Sequence, residues 1–283
     1  MIAIIANPAA HNFSFEKLIW VKKRLEENKK QVDIFITKKA GDGTEITKKI
    51  DGIYDTIAGF GGDGIINEII NAPLKKSALA VLPAGTTNVL AIELFGLPNL
   101  KTATESLING KKEKAYLGKI NQRRFILMAG AGFDAESVYH VNPKIKRFSG
   151  KLAYILGGIK AFLEEDSECF KLKIDDKEYL VLWAIVSKIK HYAGRFKISK
   201  SVDLKEPKFE LFFCECKNRK LLLPYCNAAL FSGMHNYTNL SFIHKVITNK
   251  EITIKGTKIQ IDGDYFPQSE AVITVAESIE LVR

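Results

Sequence analysis

Gly59-Phe60-Gly61-Gly62-Asp63-Gly64 restricts the folds open to this chain more than any other stretch. It is fed by the β-like run Tyr54 to Ala58 and opens onto a short apolar helix. Four glycines leave the backbone nearly bare, so successive N–H groups backed by a helix start can converge on an anion and form a phosphate nest. A carboxylate inside such a nest repels phosphate unless it holds a cation or a proton. Asp63 therefore points to chemistry on a phosphate rather than to binding alone. A tight strand-to-helix turn without a ligand is the competing reading of the same residues.

The turn is the third of four similar units. Ile2 to Ala6 reads as a buried strand, broken by Asn7-Pro8-Ala9-Ala10-His11-Asn12, after which Ser14 offers an N-cap to a helix with Leu18, Val21 and Leu25 on one face. Val32, Ile34 and Ile36 alternate in a second strand that ends at Thr37, and Gly41-Asp42-Gly43 turns into a helix through Ile46 and Ile50. The helix of the glycine turn closes at Asn71-Ala72-Pro73. Leu79 to Leu82 is a fourth strand, Pro83-Ala84-Gly85 its turn, and Thr86 to Phe95 a helix stopped by Gly96-Leu97-Pro98. Repeated β-loop-α units predict a parallel sheet covered by helices, with ligands at the carboxyl ends of the strands. Those ends carry Asn7, Thr37, Gly61 to Gly64 and Gly85 to Asn88.

Leu100 to Ile108 is a further helix, and the charged run Lys111-Lys112-Glu113-Lys114 marks a hinge, dividing the chain into domains 1–114 and 115–283. Beyond it the pattern changes to strands separated by turns: Phe125 to Met128, Phe170 to Ile174, Val181 to Val186, Phe209 to Glu215, Glu251 to Ile254, Ile259 to Ile261 and Val272 to Val275. One strong helical stripe, Gly150 to Leu163, interrupts them. The expected fold class is α/β: a Rossmann-like parallel α/β domain followed by a mainly antiparallel β-sandwich. It lacks a true dinucleotide fingerprint. Gly59-x-Gly61-x-x-Gly64 fits that pattern literally, but the acid expected about 20 residues later is missing from Ala80-Val81-Leu82-Pro83-Ala84. Gly130-x-Gly132-x-x-Ala135 fits only its looser form.

The 283 residues, 46% hydrophobic and 26% charged, suffice for one large or two medium domains. Basic residues exceed acidic ones by 42 to 32, a net charge of +10, scattered as Lys22-Lys23-Arg24, Lys75-Lys76, Arg123-Arg124 and Lys144-Ile145-Lys146-Arg147. Such scatter favours diffuse attraction to nucleotides or an anionic membrane surface over a nucleic-acid groove. No apolar run approaches the roughly 20 residues that span a bilayer, so membrane contact would be peripheral. Met1 to Ala6 reads as a core strand rather than a signal peptide. Cys169, Cys214, Cys216 and Cys226 form no metal-binding spacing, and Cys214 and Cys216 read as small hydrophobes on one strand face of a reduced, cytoplasmic protein. Neither HExxH, GxSxG nor GxxxxGK[ST] occurs, so any use of ATP proceeds without a Walker A loop.

Laid in order, a series of motifs makes the chain resemble the diacylglycerol kinase and sphingosine kinase catalytic superfamily, most closely its soluble bacterial lipid kinases. They are Asn7-Pro8, Thr37, Gly61-Gly62-Asp63-Gly64 with Asn67-Glu68, Leu82-Pro83-Ala84-Gly85-Thr86-Thr87-Asn88, Gly130-Ala131-Gly132-Phe133-Asp134-Ala135, Gly150-Lys151-Leu152-Ala153-Tyr154 and Asp262-Gly263-Asp264. The resemblance implies an N-terminal domain that binds ATP with Mg²⁺, a β-rich domain that holds a lipid substrate, and phosphorylation of a lipid hydroxyl. It implies that Asn7, Pro8, Thr37, Gly61, Gly62, Asp63, Gly64, Ile65, Ile66, Asn67 and Thr86 line the nucleotide site. Asp264 corresponds to the family's proton acceptor, and Asp63 is the competing candidate. Either role is chemically sound, because phosphoryl transfer needs a positioned hydroxyl, a base and cations on the phosphates. Taken alone, Asp262-Gly263-Asp264 also reads as a type I′ hairpin turn.

The chain departs from the family at several points. Ala10-His11-Asn12 stands where a glycine and a serine are usual, Ile65 replaces the threonine of the glycine turn, and Val89 replaces a common acid. Ser201 to Pro207 occupies the place of an Asp-Gly turn that in some members holds a structural magnesium ion, leaving Asp203 and Glu206 as the candidate metal ligands. Two other readings compete: an NAD-kinase-like enzyme acting on a small molecule, and a non-catalytic lipid- or nucleotide-binding relative. An exposed sheet edge would allow a homodimer.

Overall fold

The computed structural model of the protein describes residues 1–140, 168–192, 194, 196–216 and 242–283. They form two compact units, Met1–Ala115 with Glu277–Arg283, and Tyr116–Ala276.

The first unit is a parallel sheet with helices. Its strands are β1 (Ile2–Ala6), β2 (Val32–Ile36), β3 (Thr56–Gly61) and β4 (Ala78–Pro83), paired in the order 2-1-3-4. β1, β3 and β4 are buried along their whole length, which is why they read as continuous apolar runs. The helices are α1 (Phe15–Glu27), α2 (Asp42–Ile50), α3 (Asp63–Ile70), α4 (Val89–Phe95) and α5 (Leu100–Asn109). Ser14 Oγ accepts from Lys17 N at 3.1 Å and starts α1. At 13 residues α1 is marginal by itself. Burial of Leu18, Val21 and Leu25 stabilises it by about 2 kcal/mol per side chain, against Ile4, Phe60 and Leu82 in one shared core.

α4 starts at Val89, three residues later than the apolar pattern predicts. Asn88 takes a left-handed φ of 48°, and its side chain closes a ring on Gly85, accepting from Gly85 N and donating to Gly85 O at 2.8 Å each. Those contacts hold Thr86 and Thr87 in a loop.

The second unit is antiparallel. Its elements are the later part of β5 (Lys112–Ile120), β6 (Arg123–Phe125), β7 (Met128–Gly132), α6 (Phe133–Tyr139), β8 (Phe170–Ile174), β9 (Lys177–Ser187), β10 (His191–Tyr192), β11 (Phe196–Lys197), β12 (Phe209–Glu215), β13 (Ile243–Thr248), β14 (Ile252–Lys255), β15 (Ile259–Ile261), β16 (Asp264–Phe266) and the earlier part of β17 (Glu270–Val282). β9 is central: it pairs with β8 over its first half and with β7 and β12 over its second. Phe125, Phe170, Phe209, Phe213 and Ile273 lie in its core.

Four expectations need correction. Lys111 to Lys114 is not a hinge loop, because β5 runs through it, placing Ala115 and Leu117 in the core. The C-terminal residues return to the first unit, where Leu281 pairs with Leu79, and Arg283 and Lys111 exchange both backbone hydrogen bonds at 3.0 Å. Phe125 to Met128 is divided between two strands, since the amides of Ile126, Leu127 and Met128 turn away to a carboxylate. Cys216 is not a reduced small hydrophobe: it forms a disulfide with Cys169, whereas Cys214 is buried as expected and its thiol, outside any disulfide, donates to Glu215 O. Cys226 and the Gly150 to Leu163 stripe lie outside the described residues.

Candidate active site

The parallel register brings the carboxyl ends of β1 to β4 to one edge of the first unit, and their turns are tied together there. Asn7 donates its backbone N–H to Phe60 O and accepts from Ala9 N on Oδ1, both at 2.9 Å. Asn12 N donates to Ala84 O at 2.9 Å and Asn12 Nδ2 to Gly85 O at 2.7 Å, fastening the Asn-Pro loop over the fourth turn. Pro8 and Thr86 are exposed at this edge. Thr37 is buried, with its N–H and Oγ1 both directed at Ala6 O.

Gly62 and Gly85 meet backbone to backbone. A Cβ on Gly85 would lie 2.5 Å from Gly62 Cα, so a side chain there would drive the third and fourth turns apart. α3 begins at this contact, and Gly62, its N-cap, supplies no side-chain hydrogen bond to the first turn of the helix. Those leading amides suit an anion. The side chains of Ile65 and Ile66 point the other way, each 2% exposed in the core, so a ligand here would meet their backbone only. Asn67 is buried and accepts from Asn71 Nδ2 through its carbonyl at 2.8 Å and its Oδ1 at 3.2 Å.

Two carboxylates of the motif serve as distant helix caps. Asp63 Oδ2 accepts from Val89 N at 2.9 Å and from Thr87 Oγ1 at 3.4 Å, and Oδ1 accepts from Leu90 N at 3.1 Å. Asp63 thus caps α4, whose own N-cap residue, Asn88, gives it no side-chain bond. Glu68 accepts from Gly41 N at 3.0 Å and Gly43 N at 2.8 Å, capping α2 across the sheet edge. Nearby, Asp42 Oδ2 accepts from the amides of Lys38 and Lys39, which hold its pKa below the usual carboxylate value.

In the second unit Asp262 and Gly263 have φ values of 51° and 84°, the two positive angles of a type I′ turn, and Ile261 pairs with Asp264 across it. The hairpin reading is therefore correct for Asp262-Gly263, and the turn is held from both sides. Asp262 accepts from Leu127 N and Met128 N on Oδ1 and from Ile126 N on Oδ2, at 2.9 to 3.1 Å. Gly263 N donates to Gln260 Oε1 at 2.9 Å, Gln260 Nε2 donates to Asp134 Oδ2 at 2.8 Å, and Tyr192 OH donates to Asp134 Oδ1 at 2.6 Å. Asp134 and Gln260 are almost wholly buried. A Cβ on Gly130 would fall 1.6 Å from Asp134 Oδ2, so the first glycine of Gly130-x-Gly132-Phe133-Asp134 makes room for this carboxylate rather than for a dinucleotide. Asp264, the last residue of the turn, is exposed.

Asp203 and Glu206, the candidate metal ligands, are turned to protein cations and amides. Asp203 Oδ1 accepts from Lys205 N at 3.0 Å, Glu206 Oε2 pairs with Lys208 Nζ at 2.8 Å, and Glu206 O accepts from the buried Lys188 Nζ at 2.7 Å. No group of three or more His, Cys, Asp or Glu side chains among the described residues is arranged to hold a metal ion. These donors do not fit a divalent ion.

The fold is similar to those of two kinds of kinase. The chain superposes on a solved diacylglycerol kinase from Bacillus anthracis with a TM-score of 0.76 at 20% identity, covering 99% of this chain and 96% of that one. It superposes on an NAD kinase from Archaeoglobus fulgidus in complex with ATP with a TM-score of 0.54 at 11% identity, covering 100% and 94%. Sequence separates the two. Residues 1–120 match the family model of the diacylglycerol kinase catalytic domain. The diacylglycerol kinase of Bacillus subtilis is 29% identical over 271 residues, 93% of this chain and 89% of that protein, and that of Staphylococcus saprophyticus is 27% identical over 93% and 88%. Residues 1–120 are thus similar to the diacylglycerol kinase catalytic domain, and nine-tenths of the chain is similar to diacylglycerol kinases of bacteria.

Proposed function

We propose that the protein is an ATP-dependent lipid kinase that transfers the γ-phosphate of ATP to the hydroxyl of a diacylglycerol-like lipid. The observation that carries this reading is the edge at which four polar turns lock together around a helix N-terminus whose N-cap is a glycine, within residues 1–120 that match the family model. In this reading Asn7, Pro8, Thr37, Thr86 and the backbone of Gly61 to Asn67 surround the nucleotide. The ion chelated by ATP neutralises phosphate charge. Asp264 removes the proton of the lipid hydroxyl as its oxygen attacks the γ-phosphorus. The bond to the β–γ bridging oxygen breaks, and ADP leaves with that electron pair.

Assigning the base to Asp264 rather than Asp63 rests on the hydrogen bonds that Asp63 accepts and on the exposure of Asp264. Both oxygens of Asp63 already accept backbone N–H groups of α4, and a proton on either would displace one. Asp264 is exposed at the tip of a hairpin braced by its neighbours. Access to lipid is proposed through peripheral attachment to anionic bilayers. The net charge of +10 favours it, and no helix among the described residues is long and apolar enough to cross a membrane. Such binding weakens with salt.

The test is incubation with γ-labelled ATP and Mg²⁺ against diacylglycerol in mixed micelles, other lipid alcohols, and NAD. Label in the lipid fraction is the expected result. Label in NAD, or in neither, would overturn the proposal in favour of a small-molecule kinase or a non-catalytic binder.

A further inference from the structure

Lys188 follows β9 and is completely buried, an uncommon place for an ammonium group. Its Nζ donates to Glu206 O at 2.7 Å and to Lys208 O at 2.9 Å, and it lies 5.7 Å from the centre of the Phe209 ring. The carboxylates of Asp203 and Glu206 contribute attraction. Two backbone carbonyls converge on one positive charge, as oxygen donors converge on a metal cation. Here an amine takes them.

We propose that the ammonium of Lys188 is the resident cation of the Asp203 to Lys208 turn and stands in place of a bound divalent ion, so that this unit folds without metal. A second cation on the same carbonyls would meet that charge within a few ångströms. The ammonium thus holds converging carbonyls together away from water.

The experiment uses the full chain without nucleotide, so that the ion carried by ATP plays no part and the outcome is independent of the kinase reading. Thermal unfolding of the wild type is followed after EDTA treatment and during titration with Mg²⁺ or Ca²⁺ alone. The expected result is an unchanged midpoint in EDTA and no saturable rise below about 1 mM metal, the weak end of protein calcium sites. Lys188→Met, which fills the volume without charge, should lower the midpoint by on the order of 10 °C and gain nothing from metal. Lys188→Ala should lower it as well and recover part of the loss in a saturable way with Ca²⁺, because the vacated oxygens are then open. A fall of the wild-type midpoint in EDTA reversed by Mg²⁺ would overturn the proposal even if neither variant folds. So would a Lys188→Met protein as stable as the wild type.

Discussion

Replacing Asp63 with asparagine separates a structural carboxylate from a catalytic one. In the wild type its two oxygens accept the amides of Val89 and Leu90, the first two residues of α4. Asparagine keeps one acceptor oxygen and turns an NH₂ group toward the other amide, so one charge-assisted bond is lost and two donors face each other. Hydrogen bonds to charged groups contribute about 1.5–3 kcal/mol each, and Asp63 is partly exposed, which places the cost near the low end, about 2 kcal/mol. α4 has seven residues and cannot hold its first turn without that cap. For a protein of this size the loss corresponds to a fall in melting temperature of about 4–8 °C. Amide exchange at Val89 and Leu90, followed by NMR or by mass spectrometry of the segment, should accelerate by roughly 30-fold, since each 1.4 kcal/mol is a factor of about ten. Phosphoryl transfer should fall with it, because the fourth turn packs on Gly62. An Asp63→Asn protein with wild-type melting and wild-type exchange, yet without activity, would refute the capping argument and make Asp63 the base.

Asp264→Asn should lower kcat by about 10²- to 10⁴-fold with little change in KM for ATP, as steady-state kinetics would read. Normal turnover would remove Asp264 from the mechanism. Gly130→Ala places a methyl 1.6 Å from Asp134 Oδ2, so the buried chain from Tyr192 to Gly263 must shift; a loss of about 2–4 kcal/mol in urea unfolding is expected. The pH dependence should be visible at Asp51. Burial raises its pKa, but the amides of Lys75, Ser77 and Lys76 more than offset this, and the folded value lies below the ordinary one. The stabilisation is therefore present above the unfolded pKa, near pH 4, and fades as pH falls through the lower folded value. Urea unfolding should show Asp51→Asn trailing the wild type at pH 7, with the gap closing toward pH 3.

What could be read in the sequence was local. β1, β3 and β4 announce themselves as short apolar runs, Ser14 caps the helix it precedes, and the bare glycines mark where two turns approach. The signals that were missed join residues far apart in the chain. Asp63 finds its amides 26 and 27 residues away, Glu68 reaches back 25 and 27, and Gln260 finds Asp134 across 126. Nothing near a carboxylate in the sequence says which backbone it will accept from, so an acid in a glycine nest reads equally well as a cation ligand, a base or a cap. The charged beginning of β5 hid a strand whose later residues, Ala115 and Leu117, alternate inward, and the disulfide needed the knowledge that Cys169 and Cys216 share a neighbourhood. The same distinction orders the candidate site. Asp63, Glu68, Asp134 and Asp262 each accept N–H or O–H groups from other elements, so removing any one disturbs a turn before it disturbs a reaction. Asp264 differs from Asp262, two residues away, by exposure at the end of a hairpin whose shape the other residues fix. In the proposed reading a general base must be reached by the substrate hydroxyl in every cycle, and exposure at the end of the hairpin gives Asp264 that access.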